Sequence, residues 1–134
     1  MKLSRTVAYA VQATVQLAGS PKGEPIPCSQ LASAGRMPER FLLQILRTLV
    51  THGILKSARG PDGGYCLLRK PEDVSLLEII EAIDGPMGVG LPVQVRWPRK
   101  SESKLREALS DVAAHARSDL ATIKLAHLIP VAGD

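Results

Sequence analysis

The chain has 134 residues, with 17 Lys or Arg against 13 Asp or Glu, for a formal net charge of +4. That length suits one domain with an appended helix, and no apolar run approaches the roughly 20 residues a spanning helix needs. One Trp, two Tyr and one Phe are the whole aromatic set, which leaves Leu, Ile, Val and Ala to build a core of packed helices and argues against stacking single-stranded bases on aromatic platforms.

Charge is unevenly placed. Residues 1–70 hold ten Lys or Arg against Glu24, Glu39 and Asp62, whereas residues 71–134 hold seven against ten acidic residues. A basic first half suggests contact with a polyanion, the alternative being an ordinary solvated surface. The start, Met1-Lys2-Leu3-Ser4-Arg5, lacks the apolar stretch of a signal peptide, and Cys28 and Cys66 are too few for a disulfide framework, so a reducing, cytoplasmic setting is expected.

In chain order, Leu3, Val7, Ala10, Val11, Thr14, Leu17 and Ala18 recur at helical spacing, and Gly19 to Gly23 end that helix. A short extended piece at Pro25 to Pro27 precedes a brief helix from Ser29 to Ala34, stopped by Gly35. Pro38 fits the first position of a third helix that runs to about His52. Its inner face is Phe41, Leu42, Ile45, Leu46, Leu49 and Val50, and its outer stripe is Glu39, Arg40, Leu43, Gln44 and Arg47, with Arg36 and Met37 just ahead. Two short helices around a tight turn, the second with a polar outer stripe, read as a helix-turn-helix.

The stripe has the chemistry for base edges. Arg pairs bidentately with guanine O6 and N7, Gln with adenine N6 and N7, and Glu accepts from cytosine N4. Leu43 does none of these and is either a thymine-methyl contact or a surface leucine. A solvated helix face with local ion pairs is the bland alternative for the stripe.

Directly after this helix, an extended run from Ile54 to Ala58 meets a Pro-Asp-Gly-Gly turn and a second extended run from Tyr65, the pattern of a β-hairpin. Arg59 sits at the shoulder of the turn, where a projecting hairpin could push it into a nucleic-acid groove. The fold expected is therefore mainly α with a small β-hairpin, a winged helix-turn-helix.

Beyond the hairpin, Ser75 and Glu78 form a capping box and Val74 is placed to staple against Ile79, so a helix should start at Leu76 and end at Gly85-Pro86. Residues 86–100 lack periodicity and read as a loop. A long helix follows, with Leu105, Leu109, Val112, Ala116, Leu120 and Ile123 as a narrow seam suited to a second helix or to the chain's own domain.

Four stretches, M-K-L-S-R-T-V-A-Y-A, P-E-R-F-L-L-Q-I-L-R-T-L, G-I-L-K-S-A-R-G-P-D-G-G-Y and V-S-L-L-E-I-I-E-A-I-D-G, carry a resemblance to the Rrf-two family of bacterial transcription regulators, that of IscR, NsrR and CymR. The most specific part is the ordered pair of L-Q-I-L-R and the downstream R-G-x-x-G-G-Y. The resemblance implies a homodimer on a partly palindromic operator in double-stranded DNA, with recognition helices in the major groove and wings in the flanking minor groove. By position, Arg59 and Gly60 would be wing contacts, Pro38, Glu39, Arg40 and Gln44 would lie in the base-reading part, and Ser4, Arg5 and Thr6 would touch phosphate. Some members carry a glutamate where this chain has Leu43, so their sequence preference does not transfer.

The same resemblance implies three divisions: a DNA-binding domain over 1–85, a loop over 86–100, and a dimerisation helix with a C-terminal segment over 101–134. In IscR-like and NsrR-like members the loop region carries three cysteines that hold an iron-sulfur cluster. Here no cysteine follows Cys66, and Leu91, Trp97 and Ser103 occupy the matching stretch, so no cofactor of that kind is expected. His52, His115 and His127 show no metal-ligand spacing. Cys28, near a helix N-terminus that would lower its pKa, and Cys66 on the wing strand remain candidates for thiol-based redox sensing, against the plainer role of small apolar residues.

No phosphate-binding loop, nucleophile elbow or zinc-protease helix is present, so no enzymatic activity is expected. The expectation is a cluster-free DNA-binding regulator, most simply a repressor, answering to an effector or partner protein that the sequence does not name. The alternative of another class is a winged-helix protein-interaction module that never reads DNA.

Overall fold

Ser4 starts the first helix: its hydroxyl accepts the Val7 N–H at 3.1 Å, satisfying one donor that the helix itself leaves free. In the computed structural model, which describes residues 1–92 and 95–130, helix α1 covers Arg5–Ala18 and buries Val7, Ala10, Ala13, Thr14 and Leu17. The one polar residue of that face is satisfied within the helix, where the Thr14 hydroxyl donates to the Val11 carbonyl at 2.8 Å. Helices α2 (Cys28–Gly35) and α3 (Glu39–Thr51) follow, then strands β1 (Leu55–Ala58) and β2 (Gly64–Leu67), helix α4 (Leu76–Asp84), the long α5 (Arg99–Thr122) and the short α6 (Leu125–Leu128). Leu31, Leu42, Leu46, Leu49, Ile54, Leu55, Val74, Ile79 and Leu125 share one core with α1, and α5 joins through a second, smaller cluster of Val7, Ile80 and Leu120.

Three boundaries depart from the expectations. Cys28 lies inside the first turn of α2, because Pro27 is its cap. Pro38 caps α3 from outside: its ψ of 120° is extended, and its carbonyl accepts the Leu42 N–H at 2.9 Å. Gly35 is still helical and Arg36, at φ 53° and ψ 47°, takes the left-handed position instead. Gly35 is small for another reason, since a Cβ there would come within 2.6 Å of the Gln12 side chain and of the Met37 methyl.

Helix α4 starts as the capping box requires. The Glu78 N–H donates to the Ser75 hydroxyl at 3.1 Å, the Ser75 N–H donates to the Glu78 carboxylate at 2.9 Å, and Val74 and Ile79 are fully buried. Burial pushes the Glu78 carboxyl up, but the Ser75 backbone N–H and the Arg69 guanidinium at 2.7 Å outweigh it and hold the group below the usual carboxylate range.

The described residues of the expected 86–100 loop are non-helical until Arg99, where α5 begins; Val93 and Gln94 of that loop and 131–134 of the C-terminal segment lie outside the described residues. After α5 the chain folds back on the domain. The Leu76 N–H donates to the Ile123 carbonyl at 2.8 Å, and the Leu125 N–H to the Val74 carbonyl at 2.9 Å, which docks α6 and buries Leu125. Among the described residues no helix is long and apolar enough to cross a membrane.

Candidate nucleic-acid interface

The outer face of α3 forms as its periodicity implies. Glu39, Arg40, Gln44 and Arg47 are exposed and Leu43 is half-buried, while Leu42, Ile45, Leu46 and Leu49 hold the opposite face in the core. Phe41 is the exception to the expected inner face. It is 38% exposed and packs edge-on against Tyr9 of α1, ring centroids 5.9 Å apart, because the first turn of α3 lies at the margin of the core. A shallow depression of about 150 Å³ beside it, lined by Thr6, Phe41, Gln44 and Thr48, brings the start of α1 next to the middle of the stripe. Ser4 and Arg5 are exposed there and Thr6 is half-buried, the Ser4 hydroxyl being already engaged as a cap.

The hairpin is pinned by backbone, and glycine makes that possible. β1 and β2 pair antiparallel with Leu55 opposite Leu67 and Ala58 opposite Gly64, and the Gly63 N–H closes the turn onto the Gly60 carbonyl at 2.9 Å. A Cβ on Gly64 would fall 2.4 Å from the Ile26 carbonyl, and its φ of +146° is itself unfavourable to other residues. That closeness lets Ile26 and Tyr65 exchange two backbone hydrogen bonds at 2.9 Å, so the extended piece before α2 becomes a third partner of the wing. Leu55 and Cys66 anchor the strands in the core and leave Arg59 and Gly60 exposed at the tip.

The arginines of this face are not engaged in ion pairs among the described residues. The three ion pairs among the described residues, Arg69 with Glu78, Arg106 with Glu102 and Arg117 with Glu81, lie elsewhere. Arg36, Arg40, Arg47 and Arg59 make no ion pair among the described residues and so present their charge at the surface.

Cys28 is half-buried and its thiol donates to the Glu39 carbonyl at 3.6 Å. Burial, then the Glu39 charge, push this thiol above its ordinary pKa, opposite to the lowering expected of a helix N-terminus. Cys66 is buried on β2. The described residues contain no group of three or more His, Cys, Asp or Glu able to hold a metal ion, and 86–104 contain no cysteine, so the donors present do not fit an iron-sulfur cluster.

The seam on α5 divides. Leu120 is buried with Val7 and Ile80, and Ile123, which caps the helix, packs against the same cluster. Leu105 and Ala116 are half-buried, whereas Leu109 is 37% and Val112 63% exposed, so these two side chains are left open by the described residues. Arg117 anchors the helix laterally, its guanidinium 2.8 Å from Glu81.

A helix-turn-helix followed at once by a hairpin defines a winged helix-turn-helix, here with a long helix appended. The chain belongs to the Rrf2 family, whose model, described as an iron-dependent transcriptional regulator, matches residues 3–130. Among curated relatives it is 39% identical to a putative HTH-type transcriptional regulator of Mycobacterium tuberculosis over 65% of this chain and 54% of that protein. It is 28% identical to the HTH-type transcriptional regulator CymR of Bacillus subtilis over 84% of this chain and 83% of that one. The chain thus spans about half the length of the first of these and most of the second. The solved structure of CymR, the global cysteine regulator of B. subtilis, superposes with a TM-score of 0.77 at 25% identity, covering 96% of this chain and 95% of that one. That of T. potens IscR gives 0.66 at 28%, covering 96% and 85%. The family is one of transcriptional regulators.

Two features of this face escaped the sequence reading. The Ile26 bridge to the wing had only the extended Pro25 to Pro27 piece as its signal. The left-handed Arg36 was hidden by the adjacent Gly35, which drew the helix stop to itself.

Proposed function

We propose that this chain is a sequence-specific DNA-binding transcription regulator, acting in the cytoplasm as a homodimeric repressor on a partly palindromic operator. The observation that carries the reading is the run of exposed arginines, without ion pairs among the described residues, from the α2–α3 turn, along α3, to the wing tip. Glu39, Arg40, Gln44 and Arg47, with Leu43 among them, face base edges in the major groove, Pro38 sets the entry of their helix, and Arg59 and Gly60 reach the minor groove. Ser4, Arg5 and Thr6 meet the phosphate backbone. Leu105, Leu109, Val112 and Ala116 cover one another across a two-fold axis, while Leu120 and Ile123 hold α5 to its own domain.

The regulator works without an iron-sulfur cluster, as the missing thiolates favour, and the raised pKa of Cys28 speaks against its being a thiolate switch. Residues 1–85 then act as the DNA-binding domain, 86–100 as a connector and 101–134 as the dimerisation segment. Selection from a pool of random duplexes tests this function: enrichment of a two-fold symmetric sequence is the expected result, and a pool that stays random contradicts it.

A further inference from the structure

Helix α2 ends in a complete Schellman motif. The Met37 N–H donates to the Ala32 carbonyl at 2.8 Å, the Arg36 N–H donates to the Ser33 carbonyl at 3.3 Å, and Met37 and Ala32 are both buried. The residue between them must be left-handed, a site where glycine or asparagine is usual because a larger side chain crowds its own backbone. This chain places Arg36 there, at φ 53° and ψ 47°, exposed and without an ion pair among the described residues.

We propose that Arg36 is a phosphate-contacting residue of the DNA interface, kept at a strained position for its charge. This rests on the reading of α3 as a recognition helix. A helix about 10–12 Å across fills a major groove about 12 Å wide, so the chain that enters α3 passes beside the groove edge, where the phosphates lie. Arg36 stands three residues before Glu39, the first residue of α3, and its exposed guanidinium is free to bond two phosphate oxygens. A contact of that kind positions the helix without reading sequence.

Arg36→Gly separates the two effects in one variant. The fold gains, with a melting temperature roughly 3–5 °C higher, as expected where glycine relieves a left-handed residue. Affinity for a selected duplex and for its shuffled counterpart falls alike, about five- to tenfold near 0.1 M salt, and the dependence of log affinity on log salt becomes shallower by about 0.9. Arg36→Lys keeps the slope and the lower melting temperature. A stabilised Arg36→Gly protein with unchanged affinity and slope overturns the inference while leaving DNA recognition intact. Absence of salt-dependent duplex binding by the unaltered protein overturns that recognition and this contact together.

Discussion

The wing and helix α5 both project from the domain, but the chain completes one and leaves the other unfinished. The two wing strands pair with each other and β2 pairs also with Ile26, and two glycines let those backbones close to contact distance. Of the 24 residues of α5, only Leu120 is buried, near its C-terminal end. A polar helix gains little stability from propensity alone, and the exposed Leu109 and Val112 are the positions that the proposed dimer would cover. Rigidity built from the chain itself suits an element that must aim an arginine; an exposed seam suits one that assembles.

The largest effect should come from the wing seat. Gly64→Ala puts a Cβ against the Ile26 carbonyl and is expected to cost about 3 kcal/mol, lowering the melting temperature by roughly 10 °C. An unshifted thermal transition would mean that the bridge to Ile26 yields easily. Val112→Asp should leave the domain folded and weaken self-association by about 2 kcal/mol, seen by sedimentation as monomer at concentrations where the unaltered protein is dimeric. If both proteins sediment alike, the two projections are not divided between aiming and assembly as argued.

Arg59→Ala should weaken operator binding by about 1–3 kcal/mol with dimer and melting temperature unchanged. Retained affinity would remove the wing tip from the interface. The smallest effect concerns the tie between α5 and α4. The Arg117 guanidinium, with the Met87 N–H at 2.7 Å, holds the Glu81 carboxyl below its ordinary pKa. A depressed folded-state pKa stabilises above the unfolded value and the gain disappears as pH falls through the folded one. Glu81→Gln should therefore melt roughly 1–3 °C lower at pH 7, with the gap narrowing below about pH 4.3. A gap independent of pH would show that charge is not what ties α5 down.

What was legible in the sequence was local. The Ser75 and Glu78 capping box and the Val74 staple involve residues a turn apart, and the glycine turn of the wing is closed within a few residues, so spacing alone reveals them. Features that depend on distant partners were not legible. Phe41 shares the spacing of core residues and is edge-exposed because the first turn of α3 lies at the margin of the core, beside Tyr9 of α1; α6 docks where Val74 and Leu76 offer backbone groups to residues 123–125. Of the candidate site, the α3 stripe and Arg59 could be read from pattern and chemistry. The left-handed Arg36 could not, since either member of a Gly-Arg pair can serve as the helix stop.

One comparison tests the account most directly: the affinity of the protein for its selected symmetric duplex and for a shuffled duplex of equal length, across 50 to 200 mM salt. The account predicts that both affinities fall steeply with salt while the selected duplex stays at least about 10³-fold tighter. Equal affinity for the two duplexes throughout would contradict the claim that α3 and the wing read sequence.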